Sequence, residues 1–481
     1  MIACKKKRSH ILLICAVCFV ILILSFFLTP IGDDWGYSTV PLINRSFVMS
    51  SRPLDSLFGF LLAEIPFAFP ALNHILVVVC HGISAVTLYL IATNILKISD
   101  RRSFLFAVTF AVSSTCCATV LSIDSINQSL SLCLGVVGIY GYMRWSGNAI
   151  VRAIVYLVFC ILATFSKESG IVFFGIIPLF DVYFNGIRST WKPTLVNYVL
   201  GGAFCLFFVK LVSSTKGVGS LSILNAIKNT VFHMGFSALQ LDTVSFFGYN
   251  RLVLPAVTAV LCLPLLILVA KTLVQKLLKK DWLVLFLIAL VVLSTFPQNL
   301  LAGAQEMNSY PTVFFMLLFF AYLSKDWNKK TIYCVMAPYL AAALISGGIK
   351  YASMHKLSVQ SQEILENIAE QTQQFSPRKT KVFAVNVFSE EAYGVYVLSP
   401  AGTIGYGHGV KDIYGYGTYV EVDYYHNRTD RTLIDVPSTL IHVADEEFLE
   451  TLKQLAKDEI ENNGFDLCLI LKPDGSVTVV N

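Results

Sequence analysis

Apolar runs of bilayer length constrain this chain more than any other feature. A hydrocarbon core of about 30 Å needs about 20 helical residues at a rise of about 1.5 Å each. Such runs lie at 10–29, 72–96, 103–122, 128–145, 150–166, 170–185, 194–213, 252–275, 282–301, 311–324 and 331–349, which predicts an α-helical polytopic membrane protein with about 11 transmembrane helices. The runs 150–166 and 170–185 are short and nearly touch, so a re-entrant pair is an alternative there. Composition agrees: 55% of residues are hydrophobic and 14% charged, where a soluble protein carries about 25% charged residues. That leaves too little polar surface to cover a water-soluble globule and excludes a cytosolic enzyme. The net charge of +5 is scattered through short loops, so no nucleic-acid partner is expected. Of the 12 cysteines, most lie inside apolar runs and read as small buried hydrophobes, not as a disulfide framework or zinc site.

Charge sets the expected orientation. Lys5, Lys6, Lys7 and Arg8 precede the first run, which is long for a cleaved signal and reads as an uncleaved anchor with its basic end in the cytoplasm. Eleven crossings from that start put 18 Lys and Arg residues in inner segments and 7 in the outer segments before the tail. This bias predicts a cytoplasmic N-terminus. Loops 30–71 and 214–251 and the C-terminal tail then share the outer face. The expected organisation is a membrane domain over 1–350, a helical linker over 351–378 and a small extracytoplasmic α/β domain over 379–481. In that domain KVFAVNV (381–387), TYVEVDYY (418–425) and LCLILK (467–472) read as strands, and 445–463 as a charged helix. The expected location is a bacterial inner membrane.

Several polar residues fall at the predicted outer face. Asp33 and Asp34 follow the first span in T-P-I-G-D-D-W-G-Y. Adjacent carboxylates raise one another's pKa and suit a general base for an acceptor hydroxyl. A solvated turn with Trp35 as an interface anchor is the plainer alternative. Arg52 in S-S-R-P-L can hold a phosphate bidentately or snorkel. His74 and His81, seven apart, lie about 10 Å along one helix face, a poor spacing for one metal ion. Lys167 and Glu168, in A-T-F-S-K-E-S-G-I, stand between two spans, where ionisable groups are costly and tend to mark function. They fit either a phosphate partner with its orienting acid or a mutual ion pair. Glu306, Asn308 and Tyr310 can position a sugar or form a plain polar loop. Leu221, Ile223, Leu224 and Ile227 have the spacing of a helix lying on the membrane surface. In the tail, G-Y-G-H-G (405–409) and I-Y-G-Y-G-T-Y (413–419) offer sugar-stacking tyrosines or ordinary turns, and N-R-T at Asn427 carries no weight.

Taken together, these motifs resemble the GT-C superfamily of integral-membrane glycosyltransferases, over roughly residues 10–350. The acidic pair after the first span matches Asp33 and Asp34, and an R-P-L element matches Arg52, Pro53 and Leu54. A His-x6-His helix matches His74 and His81, S-K-E-x-G-I matches Ser166 to Ile171, and an acidic-x3-Tyr element matches Glu306 and Tyr310. Where O-mannosyl-transferring relatives often carry Arg after the acid, this chain has Met307, and their Asn between the histidines is Val77. In size and tail the chain also looks like serotype-converting glucosyltransferases that decorate bacterial O-antigen, part of lipopolysaccharide.

The resemblance implies a hexosyltransferase that takes a sugar from a polyprenyl-phosphate carrier in the membrane lipid. The acceptor would be a surface polysaccharide or a lipid-linked glycan, and the anomeric carbon would invert. Asp33 or Asp34 would be the general base, while Arg52, Lys167 and Glu168 would serve the donor phosphate. His74, His81, Glu306 and Tyr310 would contact substrate. No metal ligand set is expected, although a divalent metal is compatible. The competing expectation is a flippase or transporter of lipid-linked sugars, which would gather its polar groups near the bilayer midplane.

Overall fold

The computed structural model describes residues 2–36, 52–55, 57–58, 69–145, 149–215, 223–241, 253–296, 306–385, 400–405, 407–414, 418–425 and 446–481. Asn427, Tyr406 and the stretch 415–417 lie outside the described residues. Thirteen helices precede the sheet among the described residues. They are α1 (Ile2–Ser25), α2 (Ala71–Leu90, extended by a π-helical turn to Ile95), α3 (Asp100–Ala111), α4 (Ser114–Leu121) and α5 (Ile126–Arg144). Next come α6 (Ala149–Ser166), α7 (Phe173–Asn185), α8 (Ile187–Thr215), α9 (Ile223–Leu239), α10 (Val253–Leu278), α11 (Trp282–Thr295), α12 (Tyr310–Leu323) and α13 (Lys329–Gln371).

The described part of each apolar run is mostly helical. Among the described residues, seven stretches are long and apolar enough to cross a membrane: Lys7–Ser25, Ala71–Ile95, Ala149–Ser166, Glu168–Asn185, Val253–Leu278, Glu306–Asp326 and Lys329–Gln371. The pair α3 and α4, bent by 56°, makes an eighth if it is one broken span. Thr194–Lys210 of α8 and the whole of α11 are apolar but shorter. Polar residues Asn127, Gln128, Ser129 and Ser131 dilute the first turns of α5. Among the described residues, seven or eight candidate spans stand beside the expected count of about eleven. The stretches at 150–166 and 170–185 are each long and apolar enough to cross alone.

The chain is an integral membrane protein by these helices. Large apolar side chains stand exposed along α1 (Leu12, Phe19, Ile23), α8 (Leu206, Phe207) and α10 (Val260, Ile267). By contrast α12 is buried from Tyr310 to Leu323 and forms the axis of the bundle. The break between α3 and α4 frees backbone groups that need new partners away from water. The end of α9 reaches it: Ser113 Oγ donates to Gln240 Oε1 at 2.8 Å and Ser114 Oγ to the Gln240 carbonyl at 2.6 Å. Thr115 Oγ1 donates to the Phe236 and Leu241 carbonyls at 3.0 and 2.9 Å. The other end of α9 leaves Ile223, Leu224, Ile227 and Val231 exposed.

The tail folds as a small α/β domain with strands β1 (Lys379–Val385), β2 (Tyr419–Tyr425), β3 (Leu467–Leu471) and β4 (Val477–Val480) in the order β2-β1-β3-β4. The first three are parallel and β4 is antiparallel to β3. Alternation along β1 divides two cores. Phe383 and Val385 face Leu452 and Ala456 of helix Glu446–Asn463. Val382 and Ala384 face Ile364, Leu365 and Ile368, which belong to α13. The last apolar run and the polar segment after it are thus one helix of 43 residues that enters the domain as its second layer.

Candidate functional site

The ends of α1, α4 and α6 and the starts of α2 and α5 gather at one end of the bundle, and the acidic pair sits there. After α1 the chain turns through Gly32 and Asp33 so that Asp34 points inward, 4% exposed, while Asp33 remains exposed. Asp34 Oδ1 accepts hydrogen bonds from Ser122 Oγ (3.0 Å), Ile123 N (2.8 Å) and Asp124 N (2.9 Å). Its Oδ2 accepts from Ile31 N at 3.2 Å. The four-residue link between α4 and α5 is therefore built around this carboxylate. Burial, and next the Asp124 carboxylate, raise the Asp34 pKa to about 7, against the opposing hydrogen bonds from Asp124, Ile31 and Ser122.

The S-K-E-S-G element lies beside it. Gly170 packs so closely on the end of α6 that a Cβ would lie 2.3 Å from the Ala163 carbonyl oxygen, which fixes glycine there. The resulting 3-10 turn, Glu168–Val172, directs Glu168 to Arg52: Arg52 Nε donates to Glu168 Oε2 at 2.7 Å. Lys167 does not pair with its neighbour Glu168 in this way, and its Nζ donates to Asn127 Oδ1 at 3.2 Å. Burial, then the Arg52 charge, lower the Lys167 pKa to about 8, while Asp124, Glu168 and Asp55 pull it upward. Asn127 Nδ2 in turn donates to the Asp124 carbonyl at 2.9 Å, so hydrogen bonds run from Asp34 through Asp124 and Asn127 to Lys167.

The other expected residues pack elsewhere. His81 and Tyr310 touch each other, with His81 Nδ1 2.8 Å from the Tyr310 hydroxyl and Nε2 3.1 Å from the Ala111 carbonyl at the helix break. Phe110 covers both rings. Glu306 meets Lys350, whose Nζ lies 2.6 Å from both carboxylate oxygens, with the two side chains 1% and 0% exposed. His74, 1% exposed, lies by the Leu28 carbonyl but forms no well-shaped hydrogen bond among the described residues. Gln128 is likewise buried without a partner among the described residues. Among the described residues no group of three or more His, Cys, Asp or Glu is arranged to hold a metal ion.

Sequence reading missed Asp124, Ser122, Asn127 and Lys350. The signal for the first three was S-I-D-S-I-N in a link too short to draw notice, and Lys350 looked like an ordinary basic end to the last span. It also missed the placement of Trp35, which is not at a membrane interface. The ring is 8% exposed inside the core of the sheet domain, beside Ile364, Ile404 and Leu469, and its Nε1 donates to Ser361 Oγ at 3.0 Å.

An apolar groove of about 350 Å³ runs between α1, the α3–α4 break and α13, lined by Val20, Leu24, Cys117, Leu121, Gly347 and Tyr351 among others. Leu121 is followed directly by Ser122, a ligand of Asp34. No model of a known protein family matches the chain, and no curated protein matches it.

Proposed function

We propose that this protein is a membrane glycosyltransferase that moves a hexose from a polyprenyl-phosphate carrier to a glycan acceptor at the end of the bundle bearing Asp33. The observation that carries the reading is a hydrogen-bonded chain from acid to base: Asp124 N donates to Asp34, Asn127 joins the Asp124 carbonyl to Lys167, and Glu168, the next residue, holds Arg52. Lys5, Lys6, Lys7 and Arg8 before α1 support reading this as the outer end. The apolar groove at α1 and α13 has the lining a polyprenyl tail needs. The order of motifs like those of the GT-C superfamily supports the same reading.

In this mechanism the acceptor hydroxyl attacks C1 of the sugar as the bond from C1 to the phosphate oxygen breaks. The proton passes to Asp33, the exposed member of the pair, while Asp34 holds the turn through its four accepted hydrogen bonds. The polyprenyl phosphate leaves with its charge stabilised by Lys167 and Arg52. Attack from the side opposite the phosphate inverts C1. His74, Glu306, His81 and Tyr310, buried and packed apart from this cluster, take no part in the proton transfer.

The test is transfer of label from a radiolabelled polyprenyl-phosphate hexose in membranes of a polysaccharide-producing host. Asp33→Asn, expressed to the wild-type level, is expected to lose about 10²–10⁴-fold in rate, the usual contribution of a general base. Equal transfer by the variant would remove Asp33 from the chemistry. The second reading is a flippase of lipid-linked sugars, favoured by the broken helix α3–α4 with its buried Ser113, Gln240 and Tyr339. No transfer by wild type, together with passage of lipid-linked sugar across vesicles, would establish it in place of the enzyme.

A further inference from the structure

Three contacts fasten the acidic turn to the sheet domain and to the part of α13 that forms its second layer, more than 320 residues away in sequence. Gly32 N donates to the Thr403 carbonyl at 2.9 Å. Thr29 Oγ1 donates to the Ser358 carbonyl at 2.8 Å. Trp35 enters the domain's core and donates to Ser361. Phe69, at the far end of the same loop just before α2, packs against that core as well. Gly405 lies directly on the turn: a Cβ there would be 2.6 Å from the Gly32 carbonyl oxygen and 2.9 Å from Trp35 Cβ. Gly405 also has φ of +67°, where a side chain is strained. The glycine that suggested a sugar-stacking loop thus has a packing reason against the acid-bearing turn.

We infer that the sheet domain is a clamp on the acidic turn, with Trp35 and Gly405 as positioning residues for Asp33 and Asp34, and is not a separate module for capturing acceptor. This inference rests on the transferase reading for its catalytic consequence, but the clamp itself is independent of it. One side of Asp34 is fixed by the α4–α5 link and the other side of the turn by the sheet domain. Loosening the second hold leaves the carboxylates on a turn free to shift, and a displacement of about 1 Å at a reacting group costs about a hundredfold in rate.

The full-length protein tests this in two arms. Gly405→Ala presses a methyl group on Gly32, whereas Gly464→Ala places the same methyl at φ of +66° in the same domain with nothing within 4 Å. Hydrogen exchange of the segment 28–36 is expected to speed up by about tenfold or more in Gly405→Ala and to stay at the wild-type rate in Gly464→Ala. Strands β1 and β3 serve as the folding check and should stay protected in both. Trp35→Phe keeps an aromatic ring but loses the bond to Ser361, and is expected to give a smaller rise in the same segment. In the transfer assay Gly405→Ala should lower kcat with the acceptor KM unchanged, and Gly464→Ala should match wild type. Unchanged exchange of 28–36 in both Gly405→Ala and Trp35→Phe would overturn the clamp. A raised acceptor KM at constant kcat would overturn the positioning role in favour of acceptor capture. If wild type transfers no sugar, the enzyme reading falls, and the exchange arm still decides whether the clamp exists.

Discussion

Two aspartates at opposite ends of the helical bundle, Asp181 and Asp34, are buried in opposite ways. At the end opposite Asp34, Asp181 and the partly buried Asp281 each meet a base. Asp181, fully buried, takes Arg152 at 2.5 Å, with Tyr142, Asn185 and Thr194 completing its hydrogen bonds. Asp281 takes Lys276 at 3.1 Å and the Tyr322 hydroxyl at 2.7 Å. Although burial works the other way, those two bonds hold the Asp281 carboxyl below its ordinary value. At the Asp34 end a buried carboxylate is held by a hydroxyl and backbone N–H groups, and the charge that most affects it is another carboxylate. Its pKa moves up while that of Asp281 moves down. The Asp34 end has pairs of its own, Glu306 with Lys350 and Glu168 with Arg52. The contrast belongs to Asp34 itself, which is buried without a base on its carboxylate among the described residues, the usual condition of a group that exchanges protons or binds ions.

The largest expected difference follows from removing the base beside Asp181. Arg152→Ala leaves Asp181 buried without its counter-charge and is expected to cost about 3–5 kcal/mol, read as a fall in thermal unfolding temperature in detergent. A loss under about 1 kcal/mol would mean that the pair is not the tie the contrast requires. The next effect is on pH. Asp34 has a folded pKa of about 7, above its unfolded value of about 4. Between these values the folded state binds more protons than the unfolded one, so stability falls as pH rises through that window. Asp34→Asn should flatten this slope in unfolding measured from pH 4 to 8, and an unchanged slope would assign it to other groups. Lys167, with its pKa near 8, is cationic below that pH and neutral above it. The donor KM is therefore expected to rise above about pH 8, and Lys167→Arg should carry that rise to higher pH. The smallest effect belongs to Arg52. Its pair with Glu168 is half-exposed, at 31% and 21% of the two side chains, so Arg52→Gln should cost under about 1 kcal/mol of stability. A larger loss would place Arg52 among the structural ties of the opposite end.

What the sequence reveals divides along the same line. Helix positions are legible because a span writes its own composition, and the described part of each run is mostly helical, with 103–122 divided between α3 and α4. Three of the four strands and the helix from 446 are legible by their periodicity, whereas β4, four residues at the chain end, is too short to show one. Individual site residues such as Asp34 and Lys167 stand out because charge is rare in an apolar chain. Their partners do not. Arg52 and Glu168 are 116 residues apart, and Asp34 and Asp124 are 90 apart. Pairing at such distances is a property of how helices pack, and no local pattern encodes it. Trp35 is the clearest case: an aromatic just past a span has the signature of an interface anchor, and the domain it enters is assembled from residues beyond 360.

The helix Lys329–Gln371 gives the molecule a phase as well as a connection. At about 1.5 Å and about 100° per residue, its 43 residues make a stiff shaft about 65 Å long. The sheet domain is keyed to that shaft by Ile364, Leu365 and Ile368, and the turn after α1 is keyed to it by Ser358 and Ser361. One alanine inserted between Lys350 and Ser358 would add little length, yet it would rotate everything beyond by about 100° and bring a different face of the helix to Thr29 and Trp35. Length variation in this segment is therefore quantised: whole turns preserve the register between membrane and domain, and single residues destroy it.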